Sequence, residues 1–241
     1  MKILCLDTTA VTASAAITED DTLLAEYTVA GGGRSHSELL MPMVHSLLSS
    51  LSLTADDIQL FAACAGPGSF TGVRIGVSLI KGLAFGRGKP SAAVSSLWAL
   101  AEGLSPLEGL ICPVMDARRH QVYNALFRRE GDTLVRLTPD RAIGAAELAE
   151  EIARCYPGES GLLTGDGIGV AAPALCERGI SLLRTPYLLE KPHAAAAARC
   201  ALRMWERGEV VSDAELRPHY LRLPQAERER LERLKKTEEY S

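Results

Sequence analysis

The sequence has no paired cysteines, and this absence excludes several classes of site. Its six cysteines are scattered along 241 residues without a C-x-x-C pair, so neither a zinc ribbon nor a dithiol redox motif is encoded. Most of them lie inside apolar runs, which predicts buried, reduced thiols and a cytoplasmic location. They are Cys5, Cys64, Cys112, Cys155, Cys176 and Cys200.

The sequence also lacks an excess of positive charge and any long hydrophobic run. Its net charge is −4 with a pI near 5.8, which argues against a chain that grips nucleic acid by its own basic field. A partner can still hold nucleic acid beside it. No apolar stretch approaches the length of a membrane span, and the N-terminus enters a strand without a signal peptide, so we expect no membrane association.

Catalytic motifs are missing as well. The five histidines form no zinc-binding spacing, and Ser69 lacks the glycine two places earlier that a nucleophile elbow requires. The glycine-rich turn at residues 66–76 matches neither the phosphate-binding loop nor the dinucleotide fingerprint. We therefore predict no catalytic residue and no metal ligand.

That turn, GPGSFTGVRIG, is the most unusual stretch that the sequence does contain. It follows an apolar run at residues 60–65, which predicts a buried strand, and leads into residues 73–85, which predict a helix. A strand that enters a helix through Gly-Pro-Gly leaves backbone N–H groups at a positive helix end. The turn is therefore either an anion cradle or the corner that launches a closely packed helix.

The order of elements repeats along the chain. Strands at residues 2–6, 13–18 and 23–29, a helix over 37–51 and a strand at 60–65 are matched by strands at 110–115, 121–128 and 133–137, a helix over 145–156 and a strand at 161–164. Such a duplication predicts an α/β fold of two similar lobes with a cleft between them. We expect a first lobe at 1–106, a second at 107–190, and a helix at 192–207 that packs back on the first lobe. Residues 223–241 are expected to form a charged, solvated or disordered tail.

Three turns of this repeat, at residues 7–9, 116–118 and 165–167, are predicted to face the cleft. The candidate cleft residues are Asp7, Thr8, Thr9, Gly165, Asp166 and Gly167. Asp7 and Asp116 occupy equivalent positions, where they either face each other as magnesium–nucleotide carboxylates or cap the turns that follow them. Weak binding of ADP or ATP at this cleft stays open.

Two predicted helices carry more apolar surface than core packing requires. In the helix over residues 37–51, bulky apolar side chains cover about half the circumference, against a core-facing stripe of roughly 100°. The helix over residues 73–85 is apolar except for a narrow strip of Arg74, Ser78 and Lys81. Either a third layer of the same chain or a second protein must cover the excess.

Four blocks of this sequence resemble the TsaB family, also called YeaZ. They are residues 3–9, the turn at 66–76, Asp116-Ala-Arg118 with Val122-Tyr123, and Tyr220-Leu-Arg222. The resemblance implies the two-lobed fold of actin, the Hsp70 ATPase domain and sugar kinases. It further implies a non-catalytic subunit in the synthesis of threonylcarbamoyladenosine beside the anticodon of tRNAs that read codons beginning with A. The implied partners are the catalytic paralogue TsaD and the ATPase TsaE, with tRNA reached only indirectly and no cofactor required.

The resemblance also shows a departure from the catalytic paralogue. TsaD has two metal-binding histidines in a Val-Asn-His-x-Glu-Gly-His motif, and the matching stretch of this chain places Ser96 and Leu100 at those positions. Leucine cannot bind a metal, which argues against catalysis. The rival interpretation is an ATP-dependent phosphotransferase or a metal-dependent peptidase of the same superfamily, and either needs a working cleft.

In the family, the helices that match residues 36–51 and 70–86 pack against the same helix pair of TsaD. A homodimer through this surface would be isologous and would compete with the heterodimer. The positions expected at the interface are Leu40, Met43, Val44, Leu47, Val73, Val77 and Ile80.

Overall fold

The computed structural model describes residues 1–30 and 35–222. The glycine run at residues 31–33 and the charged tail at 223–241 lie outside these ranges. Within them, no helix has the length and apolar character needed to cross a membrane. The described residues form two α/β lobes on separate sheets.

The first lobe is built on a five-stranded sheet. Its strands are β1 (Lys2–Asp7), β2 (Thr12–Glu19), β3 (Thr22–Ala30), β4 (Leu60–Gly66) and β5 (Ser91–Ser95), and its helices are α1 (His36–Ser50), α2 (Phe70–Ala84) and α3 (Ser96–Glu102). The strand order is β3-β2-β1-β4-β5, with β1, β4 and β5 parallel and β2 and β3 antiparallel to their neighbours. Strands β1 and β4 are covered on both faces, which explains their unbroken apolar runs.

The second lobe repeats this arrangement. Its elements are β6 (Gly109–Asp116), β7 (Gln121–Asn124), β8 (Phe127–Glu130), β9 (Thr133–Arg136), β10 (Arg141–Gly144), α4 (Ala145–Cys155), β11 (Gly161–Thr164), α5 (Ile168–Glu177) and β12 (Leu183–Arg184). The path β10-β7-β6-β11-β12 has the order and directions of β3-β2-β1-β4-β5. The predicted duplication and fold class are therefore confirmed.

The strand prediction was wrong in one respect, because the second and third strands of this lobe are each broken in two. Both β7 and β8 pair with β6, while β10 pairs with β7 and β9 pairs with β8. The break in the third strand contains Pro139, which has no N–H to donate to a sheet. At the break in the second strand, the Leu126 N–H donates to the Thr138 hydroxyl at 2.8 Å instead of to a strand.

Helices cover both faces of each sheet. On the first sheet, α1 and α2 lie on the outer face, while α6 (Ala194–Glu206) and α3 lie on the face toward the second lobe. Helix α3 also packs against the second sheet, whose far face is covered by α4 and α5. Buried alanines along α6 allow it to approach β1 and β2 closely.

The cysteines are all free thiols, and four of the six are buried. Only Cys155 and Cys176 are exposed. Burial raises the pKa of Cys112 to about 12, so this thiol stays protonated and unreactive at neutral pH.

Candidate functional site

The turn at residues 66–76 is filled by the chain's own backbone. A Cβ on Gly72 would lie 1.9 Å from the carbonyl oxygen of Thr8, and a Cβ on Gly76 would lie 2.6 Å from its Oγ1. The Thr8 hydroxyl donates to the Gly72 carbonyl at 2.8 Å. The Ser69 N–H donates to the Thr9 carbonyl at 2.7 Å, and the Gly72 N–H donates to the Ser69 hydroxyl at 3.3 Å. Because these N–H groups are paired, the geometry is that of a close-packed corner that launches α2.

The first-lobe candidate residues of the cleft are buried and cap their own turn. Asp7, Thr8 and Thr9 have almost no exposed surface. The Oδ1 atom of Asp7 accepts from the Thr9 N–H at 2.9 Å and from the Thr9 hydroxyl at 2.7 Å. Its Oδ2 atom is buried and finds no hydrogen-bond partner within residues 1–30 and 35–222. These contacts are those of a turn cap.

The second-lobe candidates pack against the end of β6. A Cβ on Gly165 would lie 2.1 Å from a carbonyl oxygen of β6, and a Cβ on Gly167 would lie 2.8 Å from a backbone carbon of the same strand. The Asp166 carboxylate accepts from the Asp116 N–H at 3.2 Å, and the Asp116 carboxylate accepts from the Arg118 N–H at 2.7 Å. Partial burial and the neighbouring Asp116 charge raise the pKa of Asp166 above its usual value.

A C-terminal strap, residues 216–222, runs from the first lobe to the second. The His219 N–H donates to the Ala65 carbonyl at the end of β4, at 2.7 Å. The Arg222 guanidinium donates to the Ala117 carbonyl just beyond β6, at 2.8 Å. Three residues of main chain, at most about 10 Å, and the Arg222 side chain join these anchors, so the strap ties the ends of the two sheets to each other.

The strap also holds the first turn of α2. The Tyr220 ring stacks on Phe70 at a centroid distance of 4.7 Å, and the Arg74 guanidinium lies 4.2 Å from the Phe70 centroid. The Arg74 Nε atom donates to the Tyr220 hydroxyl at 3.0 Å. Sequence reasoning noticed Tyr220-Leu-Arg222 as a family motif and missed its structural role, since nothing local in the sequence indicates a contact so far back in the chain.

The seven residues expected at a partner interface are core residues of this chain, which corrects their assignment. All are at most 4% exposed and belong to the cluster between the first sheet and helices α1 and α2. They are Leu40, Met43, Val44, Leu47, Val73, Val77 and Ile80. The assignment was wrong because helical periodicity defines an apolar arc without showing which edge of the arc faces the sheet.

Apolar side chains nevertheless remain on the solvent side of the same two helices. Met41 is 49% exposed, and Phe85, which follows α2 directly, is 76% exposed. Half-buried aliphatic residues lie between them, and we call the whole set the outer helix face. Its members are Leu39, Met41, Leu48, Ile75, Leu79, Leu83 and Phe85. Part of the apolar excess predicted from the sequence is therefore exposed.

The beginning of α6 is held by polar residues of β2 and β3. The Ala194 N–H donates to the Ser14 hydroxyl at 3.0 Å, and the Ala195 N–H donates to the Glu26 carboxylate at 3.1 Å. The His193 ring lies 3.4 Å from the same carboxylate. The contact with Glu26 raises the pKa of His193. Burial alone would raise the pKa of Glu26, but the hydrogen bonds from His193 and Ala195 outweigh it, so the pKa of Glu26 is lowered.

The stretch that the family resemblance matches to the metal motif of TsaD lies inside the protein. Ser96 and Leu100 belong to α3 and are buried, the latter in the cluster between the lobes. Across residues 1–30 and 35–222, no three His, Cys, Asp or Glu side chains are grouped in a way that could hold a metal ion.

The duplicated sheets and facing turns define a two-lobed α/β protein of the actin, Hsp70 and sugar-kinase class. A family profile described as "TsaD: tRNA N6-adenosine threonylcarbamoyltransferase" matches residues 20–162. The TsaB protein of Escherichia coli, a "tRNA threonylcarbamoyladenosine biosynthesis protein", is 31% identical over 224 residues, which is 92% of this chain and 95% of that protein. The chain belongs to the TsaB (YeaZ) family.

Two further comparisons agree with this assignment. The Bacillus subtilis TsaB protein is 41% identical over 150 residues, covering 62% of this chain and 65% of that relative. The solved structure of YeaZ from Pseudomonas aeruginosa superposes with a TM-score of 0.77 at 27% identity and covers 91% of this chain and 99% of that one. The family resemblance stated from the sequence is confirmed.

Proposed function

We propose that this protein is a non-catalytic subunit in the synthesis of threonylcarbamoyladenosine on tRNA, and that it binds and activates TsaD through the outer helix face. The observation that carries the proposal is the exposed apolar surface on α1 and α2, in a chain whose relatives are named for this biosynthesis. A surface of this kind, with Met41 and Phe85 open to solvent, is typical of a protein interaction site.

The match to the TsaD profile indicates how the partner would fit. Two proteins of the same fold each present an equivalent pair of helices, so the two pairs can pack as a four-helix interface. A second copy of this chain would use the same face, and homodimer and heterodimer would therefore exclude each other. The heterodimer would then form the surface that TsaE recognises. It would act in the cytoplasm, and TsaD would make most of the contacts to tRNA.

Three observations support the proposal that this subunit is not catalytic. Leu100 stands at a metal-ligand position of the paralogue and is buried between the lobes. Asp7 is engaged in capping its own turn, and Gly72 lies against Thr8 where a phosphate would need space. We propose that no cofactor is required, and that any binding of ADP or ATP is weak.

The proposal is tested by mixing the chain with the TsaD protein of the same organism and measuring the stoichiometry and affinity of the complex. Met41→Glu and Leu79→Glu place a charge in the proposed interface and should weaken binding by about tenfold or more. Leu183→Glu is the matched control, because Leu183 is an exposed leucine on the edge strand of the other lobe.

If both outer-face variants bind TsaD as tightly as the wild type, the interface is wrongly placed. If the wild type does not bind TsaD at all, the subunit proposal fails.

The rival function is a phosphotransferase or peptidase that uses the cleft. It is tested on the isolated chain by calorimetry with magnesium-ATP and by a hydrolysis assay. Turnover that Asp7→Ala abolishes would establish the enzyme, whereas turnover indistinguishable from a protein-free blank excludes the ATP-dependent form.

A further inference from the structure

The turn between β6 and β7 has an unusual backbone. Three consecutive residues other than glycine lie in the left-handed region, with φ of 64° at Arg118, 55° at Arg119 and 56° at His120. This region is unfavourable for residues with a Cβ, and of the three only His120 is a type that is enriched there. All three side chains are exposed.

Hydrogen bonds fix the turn in this conformation. The Ala117 N–H donates to the Gln121 carbonyl at 3.0 Å, and the Gln121 N–H donates to the Arg118 carbonyl at 3.2 Å. The Ala145 N–H, at the start of α4, donates to the His120 carbonyl at 3.3 Å. Backbone strain that the surroundings hold in place is a reason to look for a function.

The duplication supplies an internal control for this turn. The equivalent turn of the first lobe, between β1 and β2, consists largely of the buried, uncharged residues Thr8, Thr9 and Ala10. None of these three has a positive φ. The fold therefore does not require a strained basic turn at this position, and the second lobe has one for another reason.

The charge of the turn indicates its ligand. The chain carries a net charge of −4, yet this turn presents two arginines and a histidine, and Arg222 lies against its backbone. Within the described ranges, the Arg118 guanidinium makes no ion pair; the nearby Asp116 carboxylate accepts from its backbone N–H instead. The Asp166 carboxylate accepts from the Asp116 N–H, so two carboxylates adjoin the basic turn at the end of β6.

We propose that residues 118–120 bind the sugar-phosphate backbone of tRNA directly when the chain is in its complex with TsaD. The inference rests on the proposed function and revises the expectation that tRNA is reached only indirectly. Exposed guanidinium groups provide the paired donors that phosphates accept, and successive basic side chains on an open turn match successive phosphodiesters. A single nucleotide would instead need an enclosed pocket for its base.

The test measures binding of an unmodified tRNA transcript to the TsaD complex at several salt concentrations. The Arg118→Ala/Arg119→Ala variant should reduce the slope of log affinity against log salt by about one per arginine, and it should weaken binding about tenfold. Arg178→Ala/Arg207→Ala is the charge-matched control, because both arginines are exposed at helix ends elsewhere and their removal should leave the slope unchanged.

The outcomes separate this inference from the proposed function. If the Arg118→Ala/Arg119→Ala variant forms an intact complex and its salt slope is unchanged, the RNA contact is overturned. The proposal also fails if this variant loses affinity for TsaD, because the turn would then be a protein contact. Lost ATP binding with unchanged tRNA binding would assign the turn to a nucleotide. If the wild type forms no complex with TsaD, the salt dependence of tRNA binding is measured on the isolated chain at low salt. Equal slopes for the variant and the control then also overturn the proposal.

Discussion

Replacing Val77 by glutamate is expected to destabilise the fold strongly rather than only to detach a partner. Val77 is 2% exposed and lies between α2 and the first sheet. The change loses about 1.5–3 kcal/mol of apolar burial. It also places a carboxylate where desolvation costs several kcal/mol, so the expected total is about 4–6 kcal/mol. Domains are commonly stable by only about 5–15 kcal/mol, so the loss ranges from about a quarter of the stability to all of it.

Leu79→Glu is the matched control on the same helix. Leu79 is half-buried on the outer helix face, so its new carboxylate can reach water. We expect a loss of stability of about 1 kcal/mol or less. Urea denaturation followed by circular dichroism measures both free energies of unfolding, and an unchanged m-value verifies that the same surface is exposed on unfolding.

The reasoning is refuted if the two variants have the same free energy of unfolding. Val77 would then lie on an accessible side of α2, and the first assignment of the interface residues would be restored. A folded Val77→Glu protein that no longer binds TsaD would be the clearest form of this result.

Three further predictions concern single contacts of the fold. Gly72→Ala should cost about 3 kcal/mol because its Cβ meets backbone at 1.9 Å, whereas Gly82→Ala, with open space in the same helix, should stabilise the protein by about 0.5–1 kcal/mol. Glu102→Gln should cost about 3–5 kcal/mol because Glu102 is 1% exposed and the equally buried Arg129 loses its carboxylate. The pKa of His193 is raised in the folded state, so protonated His193 stabilises the protein. The stability of the wild type should therefore decline as the pH rises from 6.5 through this raised pKa. His193→Gln should remove that decline.

Denaturant titrations check all three, the last over a series of pH values. A Gly72→Ala protein as stable as Gly82→Ala would show that α2 can move away from the turn after β1. For Glu102, the control is the half-exposed pair of Arg128 and Glu159, whose removal should cost less than about 1 kcal/mol. Equal losses would contradict the role of burial, and a pH decline that survives in His193→Gln would assign it to another group.

Much of the fold could be predicted from the sequence because it is carried by local patterns. The apolar runs at β1, β4 and β6 predicted the central strands, and their repetition predicted two lobes. The split of the third strand of the second lobe was missed because β10 is short and its pattern is not apolar. The strap was missed because Leu216 and Tyr220 contact residues about 140 positions earlier, and no local period records such a contact.

The candidate site was predicted only in part, because the rotation of a helix depends on what lies beneath it. In α1, Leu40 and Met41 are neighbours of similar hydrophobicity, yet the first is buried and the second is half-exposed. The apolar arc is wide enough to include both, and only contact with the sheet separates them. The sequence therefore indicated which two helices carry exposed apolar side chains, but buried residues of these helices were taken for surface residues.

The contact between Gly72 and Thr8 joins two parts of the first lobe, the turn after β1 and the start of α2. It holds the first turn of α2 against the turn after β1, next to the Asp7 carboxylate that caps that turn. The same contact sets the position of α2, and with it the positions of the partly buried Leu79 and the exposed Phe85. A larger residue at position 72 should therefore disturb the outer helix face and the cleft together. If Gly72→Ala weakens TsaD binding without a gain in nucleotide affinity, the close contact serves the interface alone.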